Sequence, residues 1–185
     1  MVKMITRQGR FVPADEVFEA WTSGDIDLMV RALNYKTNPV DRHFLLMNLC
    51  KQAYMARKRD PAMRDLACRV GFQHVEEFPS LVKPLRRDMG GFLPQVPTFQ
   101  NLVTLLTEDG KYEEAIAVCE AAITHQLSDG TKGGFAERIQ RIRKTAQKRA
   151  PVVGREPRAP DIIQSSGART SPSKQGAPDP RGSHG

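Results

Sequence analysis

Residues 105–123 read LLTEDGKYEEAIAVCEAAI, and their order of apolar, turn and small residues decides the fold. Gly110 follows an apolar, helix-like segment, and glycine lets a chain reverse direction after a helix without steric cost. Glu113 and Glu114 then place negative charge in the first turn of the next segment, where it stabilises a helix. The stretch therefore predicts two helices joined by a tight turn.

Alanines at positions 115 and 122 remove side-chain bulk from the second helix, so a neighbouring helix can approach it closely. In the wider stretch TFQNLVTLLTEDGKYEEAIAVCEAAITHQL, residues 98–127, the chain resembles the tetratricopeptide repeat (TPR) family, whose unit is a pair of antiparallel helices. The residues that carry the resemblance are Leu102, Gly110, Tyr112, Ala115 and Ala122. Because one such hairpin cannot bury both of its faces, the resemblance implies further hairpins stacked against it.

The rest of the first 150 residues alternates between helical patterns and chain breakers. Helices are predicted over residues 13–22, 25–34, 41–58, 61–77, 98–108, 111–125 and 135–149, with one short helix around 80–88. We expect residues 41–77 to form the hairpin next to residues 98–127, with a degenerate version of the TPR pattern. Residues 13–34 would form a shortened first unit, and residues 135–149 a capping helix. No stretch shows the period of two that is typical of strands. The predicted class is all-α: a TPR-like stack of antiparallel helical hairpins with a C-terminal capping helix.

The composition changes after residue 150. Residues 151–185 contain six Pro and five Gly among many small polar residues, and such a segment buries too little apolar surface to offset its ordering entropy. We therefore predict one helical domain over residues 1–150 and a disordered tail over 151–185. The net charge of +7 is also uneven, because residues 132–149 hold seven Lys or Arg against one Glu.

Cysteine usage and hydropathy indicate the compartment. The three cysteines, Cys50, Cys68 and Cys119, are odd in number and widely spaced, which argues against a disulfide framework. The first residues lack the apolar core of a signal peptide, and no apolar run approaches the length of a membrane span. The sequence therefore predicts a cytoplasmic protein without a membrane segment.

Patterns that carry catalysis or bind a metal are weak in this sequence. Cys68 and His74, like Cys119 and His125, are six residues apart, which places the two groups far from a common face of a helix. No nucleophile elbow, phosphate-binding loop or zinc-protease motif occurs. We therefore predict a non-enzymatic protein without a metal or cofactor. An enzyme or a small-molecule sensor would instead require a deep cavity lined by His43, His74 and carboxylates.

The resemblance to TPR proteins implies where a partner would bind. In that family an extended peptide lies along the first helix of each hairpin. The corresponding polar positions in residues 98–108 are Gln100, Asn101, Thr104, Thr107 and Glu108, and those in residues 41–58 are Asn48, Lys51, Gln52, Met55 and Lys58. The first set contains no Lys or Arg, so it does not itself form a basic clamp for an acidic peptide. The predicted function is a protein-interaction adaptor or scaffold for an unidentified protein or peptide.

A nucleic-acid-associated function is the alternative interpretation. The basic segment 132–149 could neutralise phosphates through Arg138, Arg141, Arg143, Lys144 and Lys148. However, no aromatic residue is interleaved to stack on bases, and the polar face of a capping helix accounts for the same residues. A salt-dependent affinity for DNA or RNA would distinguish this alternative from an adaptor.

Overall fold

The computed structural model describes residues 3–149, and this part of the chain is mostly helical. Two short strands, β1 (Met4–Arg7) and β2 (Arg10–Pro13), precede seven helices. The helices are α1 (Glu16–Ser23), α2 (Ile26–Ala32), α3 (Pro39–Ala56), α4 (Pro61–Asp88), α5 (Pro97–Glu108), α6 (Tyr112–Thr124) and α7 (Gly134–Arg149). The predicted all-α class is confirmed. The tail predicted over 151–185 lies outside the described residues.

None of the helices between residues 3 and 149 combines the length and the apolar composition that a membrane span requires.

The β-hairpin corrects the prediction that the chain contains no strands. β1 and β2 pair antiparallel, with Met4 opposite Pro13 and Arg7 opposite Arg10. The two turn residues, Gln8 and Gly9, have φ values of 51° and 77°, the signs required by the type I′ turn that suits strand twist. Strands of four residues are too short to display a clear period of two, so the sequence pattern did not reveal them.

Asp41 ties this hairpin to the helices. Its side chain is fully buried and accepts hydrogen bonds from Arg7 Nε at 3.1 Å and Arg7 Nη2 at 2.6 Å. Trp21 Nε1 of α1 donates to it at 3.0 Å, and Asn38 Nδ2 at the start of α3 donates at 2.5 Å. One carboxylate therefore connects β1, α1 and α3.

The first four helices begin at acidic or amide side chains. In each case the side chain of the residue before the helix accepts hydrogen bonds from free backbone N–H groups of the first turn. These residues are Asp15, Asp25, Asn38 and Asp60. Proline follows directly in α3 and α4, where its missing N–H costs nothing. The predicted Asp60-Pro61 start is confirmed, and α3 begins at Pro39 rather than at residue 41.

Helix α4 corrects a second prediction, because it continues for 28 residues instead of ending near residue 77. Pro79 and Pro84 lie inside it, and each removes one backbone donor and crowds the preceding turn. The apolar residues of the same turns are nevertheless buried in the core: Phe78, Leu81 and Leu85. Burying three such side chains contributes about 4.5–9 kcal/mol, which is comparable to the cost of about 3 kcal/mol for each proline.

The helices pair along the chain, and the pairs stack. α1 contacts α2, α3 contacts α4, and α5 contacts α6. Both α1 and α2 also contact α3, both α3 and α4 contact α5, and α6 contacts α7. One apolar cluster joins the first two pairs, and a second extends from the later turns of α4 to α7. Each helical hairpin therefore buries its open face against the next element.

The turn between α5 and α6 has the geometry predicted from Gly110. Its φ is 76°, in the left-handed region that glycine adopts without strain. The backbone N–H of Lys111 donates to Leu106 O at 2.8 Å, and the N–H of Gly110 donates to Thr107 O at 3.2 Å. This pair of bonds is the Schellman arrangement, which satisfies the last carbonyls of α5 while the chain reverses.

Ala115 and Ala122 are fully buried, as the sequence predicted. Replacing Ala122 with leucine forces extra carbon atoms into a packed contact, and we expect the free energy of unfolding to fall by about 1–3 kcal/mol. Urea unfolding followed by circular dichroism measures the change. The matched control is Ala117→Leu, at an exposed position of the same helix, where we expect a change within about 0.5 kcal/mol. Equal losses in both variants would contradict close packing at Ala122.

A chain of buried polar side chains joins α3, α4 and α5. His43 Nδ1 lies 2.9 Å from His74 Nε2, and His74 Nδ1 lies 2.9 Å from Thr98 Oγ1. All three residues are fully buried. Burial lowers the pKa of His43 to about 4. Burial, followed by the charges of His43 and Arg42, lowers the pKa of His74 well below its ordinary value, so both imidazoles are neutral at pH 7.

Candidate functional site

A groove of about 350 Å³ lies between α5 and α7, and we call it the α5–α7 groove. Its base is apolar, because Val103 and Ile142 are core residues with only 1% and 3% of their surface exposed. Its α5 wall consists of Thr104, Thr107 and Glu108, and its α7 wall consists of Arg138, Arg141, Thr145 and Arg149. The groove thus combines an apolar base with polar walls of different chemistry.

Three threonines in the walls have no free hydrogen-bond donor. The hydroxyls of Thr104, Thr107 and Thr145 donate to the backbone carbonyl four residues earlier, at 2.9, 2.7 and 2.9 Å. Each can still offer a ligand an oxygen lone pair and a methyl group. Donors for a ligand in this groove must therefore come from the arginines.

Arg138 is neutralised by a buried carboxylate. Its Nη2 and Nε donate to Asp129 Oδ2 at 3.1 and 3.3 Å, while the backbone and hydroxyl of Thr131 donate to Oδ1 at 2.9 and 2.6 Å. Burial raises the pKa of the Asp129 carboxyl, but these hydrogen bonds outweigh it and leave the pKa below its ordinary value. The side chain of Gln100 also donates to the backbone carbonyl of Asp129. Arg138 therefore contributes to the shape of the α7 wall but adds little net positive charge to it.

Arg141 and Arg149 supply the charge. Neither forms an ion pair with a carboxylate of residues 3–149, and both are exposed. A guanidinium group offers five donors in a planar fork that matches a carboxylate. Eight residues of helix separate the two arginines by about 12 Å along α7. The α7 wall thus presents two positive charges at a defined spacing.

The Glu108 end of the groove is acidic but already paired. Glu108 accepts from Arg64 at 2.7 Å and lies 3.6 Å from Arg57, while Arg64 also contacts Asp109 at 2.5 Å. Exposed pairs of this kind contribute little stability. They do occupy the oxygens of Glu108, so this carboxylate adds little repulsion to an anionic ligand in the groove.

The structure brings together members of two separately predicted sets. Thr104, Thr107 and Glu108 from the peptide-binding set lie across the groove from Arg138 and Arg141 of the nucleic-acid set. The sequence correctly placed no Lys or Arg on the α5 wall. The basic residues instead come from α7, which sequence reasoning treated as a cap.

The remaining predicted residues lie outside this groove. On α5, Asn101 is half-buried and Gln100 contacts the Asp129 loop. On α7, Arg143, Lys144 and Lys148 are exposed and do not line the groove. The set predicted over residues 41–58 also lies elsewhere: Lys51, Met55 and Lys58 are exposed, and Asn48 and Gln52 are half-buried.

Four lining residues were missed by sequence reasoning: Val103, Ile142, Thr145 and Arg149. A signal for part of this set was present. Arg138, Arg141, Thr145 and Arg149 recur every three or four residues, which places them along one side of α7. The sequence did not indicate which neighbouring helix that side would meet.

The histidines considered for catalysis lie in the core. His43 and His74 are fully buried and hydrogen bonded to each other, and they are not in the lining of the α5–α7 groove. The two histidines therefore connect α3 and α4 through a buried hydrogen bond.

Comparison with known proteins gives one distant relative. An uncharacterized protein of Aquifex aeolicus (strain VF5) is 27% identical over 129 residues, which cover 65% of this chain and 61% of that protein. The chain therefore matches less than two thirds of the length of this relative. No protein-family model matches the chain. No solved structure matches it either.

Proposed function

We propose that this chain is a non-enzymatic adaptor or scaffold that binds an extended, acidic segment of a partner protein in the α5–α7 groove. The observation that carries the proposal is the pairing of an apolar base with two arginines that lack ion pairs within residues 3–149. Apolar side chains of the partner would pack on Val103 and Ile142. Its carboxylates would accept hydrogen bonds from Arg141 and Arg149.

The spacing of the arginines defines the segment further. An extended chain advances about 3.3 Å per residue, and every second side chain points to the same side of the chain. Carboxylates four residues apart are therefore about 13 Å apart on one side, close to the separation of Arg141 and Arg149. The intervening residues on the opposite side would contact the threonines of α5. The expected motif has two acidic residues at positions i and i+4.

We further propose a relationship to TPR proteins. It is supported by the glycine turn at residue 110, the buried alanines of α6 and the stacking of successive helical hairpins. In that family the first helix of a hairpin contacts the partner. Helix α5 holds this position in the third hairpin, which is consistent with binding in the α5–α7 groove.

A display selection tests the proposal. A random peptide library is selected on the full chain, and enriched peptides are titrated against the wild type and two variants. Thr104→Phe fills the groove, and Lys144→Glu with Lys148→Glu reverses charges on exposed α7 positions outside it. We expect the selection to enrich acidic peptides. Their affinity for the Thr104→Phe variant should be at least about tenfold lower than for the wild type, or about 1.4 kcal/mol, whereas the variant with Lys144→Glu and Lys148→Glu should bind them like the wild type.

Other outcomes would count against this function. Peptides that bind the wild type and Thr104→Phe equally would place the interaction outside the groove. Enrichment of neutral or basic peptides would contradict the role of Arg141 and Arg149. Urea unfolding of Thr104→Phe ensures that a lost interaction does not come from a lost fold.

Nucleic-acid binding is retained as a second candidate because of the exposed cations on α7. Arg143, Lys144 and Lys148 are exposed in this helix, and charges of this kind bind phosphate backbones without sequence preference. The Lys144→Glu and Lys148→Glu variant separates this candidate from the adaptor. It would abolish a salt-sensitive affinity for RNA or DNA while leaving peptide binding intact.

A further inference from the structure

A second cavity, of about 690 Å³, lies among the β-hairpin, the start of α3 and the end of α4, and we call it the hairpin cavity. Its polar lining includes Arg7, Gln8, Arg10, Asp15, Asn38 and Arg87. The α5–α7 groove does not share any of these residues. The function proposed above therefore leaves the hairpin cavity unexplained.

Asp15 and Asn38 of the lining already have hydrogen-bond partners within the protein. Asp15 Oδ1 accepts from the backbone N–H of Phe18 at 2.8 Å, and its Oδ2 accepts from the hydroxyl of Thr37 at 2.6 Å. The side-chain amide of Asn38 donates to the buried Asp41 carboxylate, and its oxygen caps α3. These hydrogen bonds hold the two side chains in place, so this part of the cavity wall is prearranged.

The positive charge of the cavity is only partly balanced. Arg7 is paired with Asp41, but Arg10 and Arg87 form no ion pair with the carboxylates of the described chain. Both are exposed, one on β2 and the other in the last turn of α4. Two guanidinium groups on different elements thus line one polar cavity.

The turn beside these arginines is strained and fixed. Gln8 has a φ of 51°, a left-handed conformation that costs a residue other than glycine roughly 1–2 kcal/mol. Its backbone N–H donates to the carboxylate of Asp88, the neighbour of Arg87. This bond connects the hairpin turn to α4 and so restricts the relative positions of Arg10 and Arg87. Strained residues of this kind cluster at ligand sites.

From these contacts we infer that the hairpin cavity binds a phosphoryl group through Arg10 and Arg87. Guanidinium forks match phosphate oxygens, and the two arginines outweigh the single negative charge of Asp15 in the same lining, which leaves a net positive charge facing an anionic phosphate. The cavity volume lies within the range of about 300–1,000 Å³ that is typical of small-molecule sites. It has room for an organic group attached to the phosphate.

Arg87 also stabilises the end of its own helix, and the experiment must separate this effect from ligand binding. A cation in the last turn of a helix stabilises the negative end of the helix dipole, and this effect needs no ligand. Arg10 lies on a strand and has no such role. Binding that depends on both arginines therefore distinguishes a site from helix stabilisation.

Isothermal titration calorimetry on the full chain at low ionic strength tests the inference. The probes are inorganic phosphate, adenosine 5′-monophosphate and adenosine. We expect saturable binding of at least one phosphate-bearing probe and none of adenosine. The first two probes distinguish free phosphate from a phosphorylated organic molecule. Arg10→Ala and Arg87→Ala should each weaken binding, and the double variant should lower the affinity at least about tenfold.

A matched variant controls for general charge attraction. Arg59→Ala with Arg69→Ala removes the same charge from exposed positions outside the hairpin cavity, and we expect it to change the affinity by less than about twofold. Equal weakening in this control, undiminished binding in the Arg10→Ala and Arg87→Ala variant, or no millimolar binding of either phosphate probe would overturn the inference. Urea unfolding of each variant verifies that the fold is retained.

Discussion

Replacing Asp41 with alanine is expected to lower the free energy of unfolding by about 3–5 kcal/mol at pH 7. Its buried carboxylate accepts two hydrogen bonds from Arg7 and one each from Trp21 and Asn38. Without it, the Arg7 guanidinium, whose side chain is only 14% exposed, loses its counter-charge. Small domains are typically stable by about 5–15 kcal/mol, so this single change removes a large part of the total.

Urea unfolding at pH 7 measures this loss, and the chain offers a matched control. Glu77 pairs with Arg42 at 2.7 Å, but its carboxylate is 31% exposed. Glu77→Ala should therefore cost only about 1 kcal/mol. The double change Arg7→Leu and Asp41→Leu removes both charges and should recover part of the loss. Equal effects of Asp41→Ala and Glu77→Ala would contradict the role given to burial.

Stability is also expected to fall steeply as the pH is lowered from about 6.5 to 4. In the unfolded chain both core histidines titrate near 6.5, whereas burial lowers the folded pKa of His43 to about 4 and that of His74 well below 6.5. The unfolded state therefore binds more protons in this window, and acid favours it. The stability is fully present above pH 6.5 and is lost as the pH falls toward the folded pKa values.

The expected size follows from one pKa unit being about 1.4 kcal/mol. The shift of His43 alone corresponds to about 3 kcal/mol, and the slope reaches about 2.7 kcal/mol per pH unit where both histidines contribute. Urea midpoints between pH 4 and 7.5 measure it. The variant His43→Leu, His74→Leu and Thr98→Val removes the whole hydrogen-bonded chain. Its stability should depend much less on pH in this window, and an unchanged slope would place the titrating groups elsewhere.

The hairpin around Gly110 was predictable because its signals are local. A turn glycine, acidic residues after it and small alanines at the contact all act within a few residues, and the structure confirms the turn and the burial. The long helix α4 was not predictable in the same way. Pro79 and Pro84 indicate local breaks, whereas the burial that carries the helix through them depends on α5 to α7.

The candidate site shows the same division between local and tertiary information. The resemblance to TPR proteins implied that Thr104 and Thr107 lie on the partner-facing side of α5, and the arginines were attributed to the polar face of a capping helix. The threonines and arginines line one groove because burial of Phe135, Ile139 and Ile142 in the core fixes the orientation of α7 about its axis. The hairpin cavity depends on the β-hairpin and on a left-handed Gln8, neither of which the sequence pattern predicted, and on their position beside α3 and α4.

The two walls of the α5–α7 groove come from different helices, and this has a consequence for the specificity of the proposed binding. All the arginines that line the groove belong to α7, which packs on α6. The turn and the contacts that shape the preceding hairpin lie in other residues. Exchanging Arg141 or Arg149 would therefore alter the preferred ligand while leaving the architecture intact. Under the proposed function, substitutions in this one helix would change the preferred peptide while the buried core stays the same.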